Sequence, residues 1–64
     1  MEVNVKKIKI LLAEQELTMR EFCKKNDIPY STFTQIMSGN RIPNLKTLGN
    51  IAEKLNASVD EIIC

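Results

Sequence analysis

This 64-residue chain lacks the residue patterns in which side chains usually catalyse. It has no His, the residue most used for general acid–base work and transition-metal binding. Its two cysteines, Cys23 and Cys64, lie far apart in the chain, whereas a zinc site needs four ligands in close-spaced pairs. No nucleophile stands in a pattern with a base. What the sequence does offer is a group of uncharged side chains with hydrogen-bonding tips: Tyr30, Ser31, Thr34 and Gln35. The Gln35 amide can donate and accept at once, and so can pair bidentately with N6 and N7 of adenine. Ser31 and Thr34 can serve several bases, and the Thr34 methyl can touch a thymine methyl. Arg41 and Lys46 follow, inside a stretch (28–52) that contains no acidic residue. This is the chemistry of recognition rather than turnover, and no enzyme activity is expected.

For those four side chains to share a face, a helix must carry them. Phe33, Ile36 and Met37 have the spacing of a buried helical face, which predicts a helix over 30–37 with Tyr30, Ser31, Thr34 and Gln35 on its open side. Pro29 presets a helical φ near its start, and Gly39 stands where a C′ glycine ends a helix. Upstream, Thr18-Met19-Arg20-Glu21 matches a T-x-x-E capping box, with Leu17 and Phe22 as its hydrophobic staple. The predicted helix over 18–25 buries Phe22 and Cys23, and stops at Asn26-Asp27, which favour turns. Cys23 reads as a small buried hydrophobe. Two short helices joined by a tight turn are a helix-turn-helix signature. In that motif the first helix crosses the phosphate backbone and the second lays its outward side chains on base edges in the major groove.

The remaining elements brace the pair. A first helix over 5–15, capped by Asn4, carries Val5, Ile8, Leu11, Leu12 and Gln15 on one stripe. After an Asn40–Pro43 loop, Asn44 caps a helix over 45–55 with the stripe Leu45, Leu48, Ile51, Ala52 and Leu55. Asn56 can end it in the left-handed region. Ser58-Val59-Asp60-Glu61 is a second capping box, opening a short last helix with Val59, Ile62 and Ile63 apolar. The chain is expected to be all-α: a compact five-helix bundle without a strand, with residues 1–64 forming one domain.

Several stretches resemble the phage-repressor (Cro/CI-type, XRE) helix-turn-helix family over residues 5–63. The most specific are Ser38-Gly39-x-Arg41-x-Pro43-x-Leu45-x-Thr47-Leu48 and Leu55-x-x-Ser58-x-Asp60-Glu61. The resemblance implies a lambda-repressor-like DNA-binding domain. It further implies binding to double-stranded operator DNA, typically as a homodimer on an inverted repeat, and repression or tuning of transcription. Carried over by position, base reading falls on Tyr30, Ser31, Thr34 and Gln35. Phosphate binding falls on Thr18, Met19, Asn40 and Arg41. Asn44 and Lys46 join them, because Asn44 leads a helix N-terminus that can face an anion. The sequence also departs from the family pattern. Met19 stands where a phosphate-binding glutamine often follows the capping Thr. Asn26 and Asp27 replace a usual apolar residue and a usual turn glycine. Pro29 replaces a common Ser or Thr. Leu12 and Met37 occupy positions that often hold an Arg–Glu ion pair, so an apolar contact is expected there.

The net charge of +1 conceals a polarised distribution. Across residues 17–47, Arg20, Lys24, Lys25, Arg41 and Lys46 oppose only Glu21 and Asp27, a net +3. Across 53–64, Lys54 opposes Glu53, Asp60 and Glu61, a net −2. That suits a module with DNA on one side and something else on the other. Val59, Ile62 and Ile63 leave more apolar surface than a small monomer comfortably hides, and are expected to form a dimer interface. Cysteine usage fits a reducing cytoplasm. The longest apolar run, Ile10 to Ala13, is far short of a membrane span. No cofactor and no small-molecule ligand are expected. A protein-interaction module of antitoxin or antirepressor type is the alternative use of the same fold.

Overall fold

The computed structural model describes residues 2–64. Five helices run in order: α1 (Val5–Glu14), α2 (Met19–Lys25), α3 (Tyr30–Met37), α4 (Leu45–Lys54) and α5 (Val59–Ile62). The chain is all-α, and each predicted helix is present within a residue or two of its expected bounds.

The helix starts follow from the capping residues. Asn4 accepts from the Lys7 N–H at 3.1 Å, and Asn44 from the Thr47 N–H at 2.8 Å. At α2 both halves of the capping box form. The Thr18 N–H donates to Glu21 Oε1 at 2.9 Å and the Glu21 N–H donates to Thr18 Oγ1 at 3.1 Å. At α5 the Ser58 N–H donates to Glu61 Oε2 at 3.1 Å. Pro29 stands at the cap of α3 rather than inside the helix, with φ −58° and no side-chain cap bond.

The ends of α1 to α4 share one geometry. Glu16 (φ 56°), Asp27 (54°), Gly39 (82°) and Asn56 (59°) each take the left-handed conformation just past the helix. The next N–H then reaches back to a carbonyl of the last turn: Leu17 to Leu12, Ile28 to Cys23, Asn40 to Gln35 and Ala57 to Ala52, at 2.9–3.0 Å. These are Schellman closures, which satisfy carbonyls the helix leaves orphaned.

One apolar core joins all five helices. It includes Ile8, Leu11 and Leu12 of α1, Phe22 and Cys23 of α2, and Phe33, Ile36 and Met37 of α3. Leu48, Ile51, Ala52 and Leu55 of the α4 region and Ile62 of α5 complete it. The Phe22 and Phe33 rings lie 5.4 Å apart at 44°, a tilted contact of the kind that aromatic quadrupoles favour. It fixes α3 against α2. Leu12 and Met37 are both buried in this core, as an apolar substitute for an ion pair requires.

One expectation is corrected. Leu45 is 76% exposed; it opens α4, and that helix enters the core only from Leu48 onward. Gln15, at the end of the α1 stripe, is half-buried; it donates from Nε2 to the Leu55 carbonyl at 2.7 Å and joins the ends of α1 and α4. The chain also makes one β pairing among the described residues, an antiparallel bridge between Val3 and Ile63. The Asn4 N–H donates to the Ile62 carbonyl at 2.8 Å and the Cys64 N–H to the Glu2 carbonyl at 2.9 Å. No helix is long and apolar enough to cross a membrane.

Candidate nucleic-acid interface

The turn between α2 and α3 is built without glycine. Asn26 donates from both its backbone N–H and its Nδ2 to the Phe22 carbonyl, at 3.1 and 3.0 Å. Asp27 supplies the left-handed residue, a conformation that its short polar side chain tolerates. Lys24 and Lys25 occupy the last turn of α2, where cations complement the helix dipole.

The two sides of α3 differ sharply. Phe33, Ile36 and Met37 are buried, while Tyr30, Ser31 and Gln35 are exposed and Thr34 is half-buried. The Thr34 hydroxyl donates to the Ser31 carbonyl at 3.0 Å. Its proton is thus engaged within the helix, and the oxygen keeps acceptor capacity.

Each end of this face carries an arginine from another segment. At the C-terminal end, Arg41 donates from Nη1 to Gln35 Oε1 at 3.4 Å. The distance is long for a hydrogen bond to a charged donor. The contact exists because the Schellman closure at Gly39 folds the chain back, with the Asn40 N–H on the Gln35 carbonyl. At the N-terminal end, the Arg20 guanidinium lies over the Tyr30 ring, 4.3 Å from its centroid, within the range of a cation–π contact. Sequence reasoning did not single out Arg20. The available signal was an exposed cation in the first turn of α2 together with an aromatic residue at the head of α3.

A family model described as helix-turn-helix matches residues 8–62. The chain belongs to this phage-repressor-type (Cro/CI, XRE) helix-turn-helix family. It is a DNA-binding helix-turn-helix protein of the kind that regulates transcription. No curated protein and no solved structure matches the chain.

In this helix-turn-helix domain the expected phosphate-binding positions divide into two groups. Asn40, Arg41, Asn44 and Lys46 are exposed on the loop after α3 and the start of α4. Asn44 has engaged its Oδ1 with Thr47, which leaves the amide NH2 as its donor. Thr18 is exposed, and its oxygen accepts from Glu21, so the hydroxyl proton remains for an anion. Met19 is different. It is half-buried and packs against the core, and a thioether has no donor. Its side chain is therefore removed from the phosphate-binding set.

The expected dimer residues divide as well. Ile62 is 0% exposed and belongs to the core of its own chain, so it is withdrawn from the interface. Ile63 is half-buried, packs on that core and pairs with Val3. Val59 is 37% exposed. The larger apolar exposures lie elsewhere, at Ile42 (77%) and Leu45 (76%).

Among the described residues, two titratable groups are perturbed. The Thr18 backbone N–H, and after it the Thr18 hydroxyl, hold the Glu21 carboxyl below the usual carboxylate range. Burial pushes the Cys23 thiol up, which disfavours the reactive thiolate.

Proposed function

We propose that residues 1–64 act as one sequence-specific operator-binding unit of a cytoplasmic transcriptional regulator. It binds an inverted repeat as a homodimer and represses the gene it controls. One observation carries the reading: α3 buries Phe33, Ile36 and Met37 and turns Tyr30, Ser31 and Gln35 outward, with Thr34 at the edge. Gln35, Thr34, Ser31 and Tyr30 read bases, while Thr18, Asn40, Arg41, Asn44 and Lys46 hold phosphates. Dimerisation follows from the small number of bases one α3 can reach. The exposed apolar side chains Ile42, Leu45 and Val59 support it.

Selection of bound sites from a random duplex pool tests the reading. The expected product is an inverted repeat whose half-sites are about 34–36 Å apart or a multiple of that. On the selected site, Gln35→Ala is expected to relax preference at one base pair by about 1–3 kcal/mol, while Arg41→Ala weakens random duplex as well as the selected site. If each copy neutralises about 3 phosphates, the dimer's log–log salt slope is near −5. The exposure of Ile42 and Leu45 also favours a second reading, a protein-interaction module. Absence of salt-sensitive duplex binding at low salt would select that reading and reject the first.

A further inference from the structure

We propose that Arg20 is a DNA-backbone contact and the positioning residue for Tyr30, filling the anchoring role that Met19 does not. The inference rests on the operator-binding reading above. Three observations carry it.

The first is the gap at position 19. Met19 turns toward the core, so the start of α2 lacks a side-chain donor at the residue after the cap. The second is the placement of the next residue. Arg20 is exposed, and its guanidinium is already held over the Tyr30 ring at 4.3 Å. A guanidinium attracted to a ring by its charge spends no N–H on a hydrogen-bond acceptor there, so its donors remain available to grip a phosphate bidentately. The third is where the stack sits. Arg20 belongs to α2 and Tyr30 is the first residue of α3. In this motif the first helix crosses the backbone and the second enters the groove. The stack therefore bridges the backbone-contacting helix and the base-contacting one. Arg20 and Tyr30 are each ordered by the other before DNA arrives, which lowers the conformational entropy lost on binding.

The test uses the whole chain, a selected operator and a random duplex of equal length, titrated at several salt concentrations. Arg20→Ala is expected to weaken binding to both duplexes and to reduce the salt slope by about 0.9 per bound copy. It should also relax selectivity about two- to fivefold at the base pair where Tyr30→Ala relaxes it. In a Tyr30→Ala background, Arg20→Ala should bring no further loss of selectivity. Arg20→Lys should restore the salt slope, because the charge remains, but not the full selectivity, because an ammonium lacks the planar guanidinium held over the ring and its bidentate fork. Arg20 is exposed, so these variants should keep wild-type helicity and lose no more Tm than the removal of an exposed cation–π contact brings. An unchanged salt slope in Arg20→Ala, or selectivity losses that simply add, would overturn the proposal while Arg41→Ala still weakens binding. A wild-type chain without salt-sensitive duplex binding would instead bring down the operator-binding reading, and this inference with it.

Discussion

Gln35 and Arg41 were expected to have separate duties, one reading a base and the other clamping a phosphate. Their contact at 3.4 Å joins those duties. Gln35 Oε1 accepts from a cation, yet a carbonyl oxygen has two lone pairs, so in the proposed reading one would remain for an adenine N6 donor while Nε2 addressed N7. The guanidinium thus selects which way the amide points. Arg41→Ala should then do two things: weaken every duplex, and lower the base preference proposed for Gln35. In a double-mutant cycle on the selected operator, Arg41→Ala and Gln35→Ala should couple by about 0.5–1.5 kcal/mol, the scale of one exposed hydrogen bond. Strict additivity would show that the two side chains act independently on DNA. The open face of α3 was legible in the sequence because helical period alone places it. The two arginine contacts were not. Each joins side chains from different segments, and their meeting depends on the turn at Asp27 and the closure at Gly39.

Among the elements, legibility tracked the side chains that act locally. Thr18 and Glu21 announce the start of α2 because a hydroxyl and a carboxylate three residues apart can satisfy each other's backbone. Gly39 and Asn56 announce helix ends because both residue types tolerate positive φ. Glu16 takes the same left-handed conformation with no such preference, so nothing in its type marked the end of α1. There the fold is imposed by Leu17 packing against the core. Leu45 misled in the opposite direction, since period assigns it to the buried stripe but cannot show where the core stops. The α2 capping box has a pH signature. Folding lowers the Glu21 pKa, so the stabilisation it brings is present above the unfolded value and lost as pH falls through the folded one. The contribution is therefore full at neutral pH and disappears on acidification through and below the ordinary glutamate range. Thermal melts across that range should show the wild-type Tm falling more than that of Glu21→Gln. The glutamine keeps an acceptor for the Thr18 N–H but binds no proton. Superimposable Tm–pH curves would remove the capping box as a source of acid sensitivity.

For the molecule as a whole, α3 is only as well placed as the core beneath it. A chain of this length has a stability on the order of 3–10 kcal/mol. Phe33 is fully buried against Phe22, and removing such a ring costs about 3–5 kcal/mol. Phe33→Ala should therefore abolish operator binding by loosening the fold, although no atom of Phe33 reaches the DNA. The cysteines provide a way to tell this from a lost contact. Cys64 is exposed and Cys23 is buried in the core beside Phe22, with its thiol pushed up by burial. Alkylation followed by mass spectrometry should add one label quickly to the wild-type chain, at Cys64. The second label should come only as fast as the core opens, and more slowly still with saturating operator, because ligand binding stabilises the folded state. In Phe33→Ala both cysteines should react at similar rates. In Gln35→Ala, which loses a surface contact only, Cys23 should stay as protected as in the wild type. Rapid labelling of Cys23 in the wild type would show that the core does not seal this thiol. Slow labelling in Phe33→Ala would show that the core tolerates the missing ring. In either case the loss of binding would need an explanation other than the mispositioning of α3.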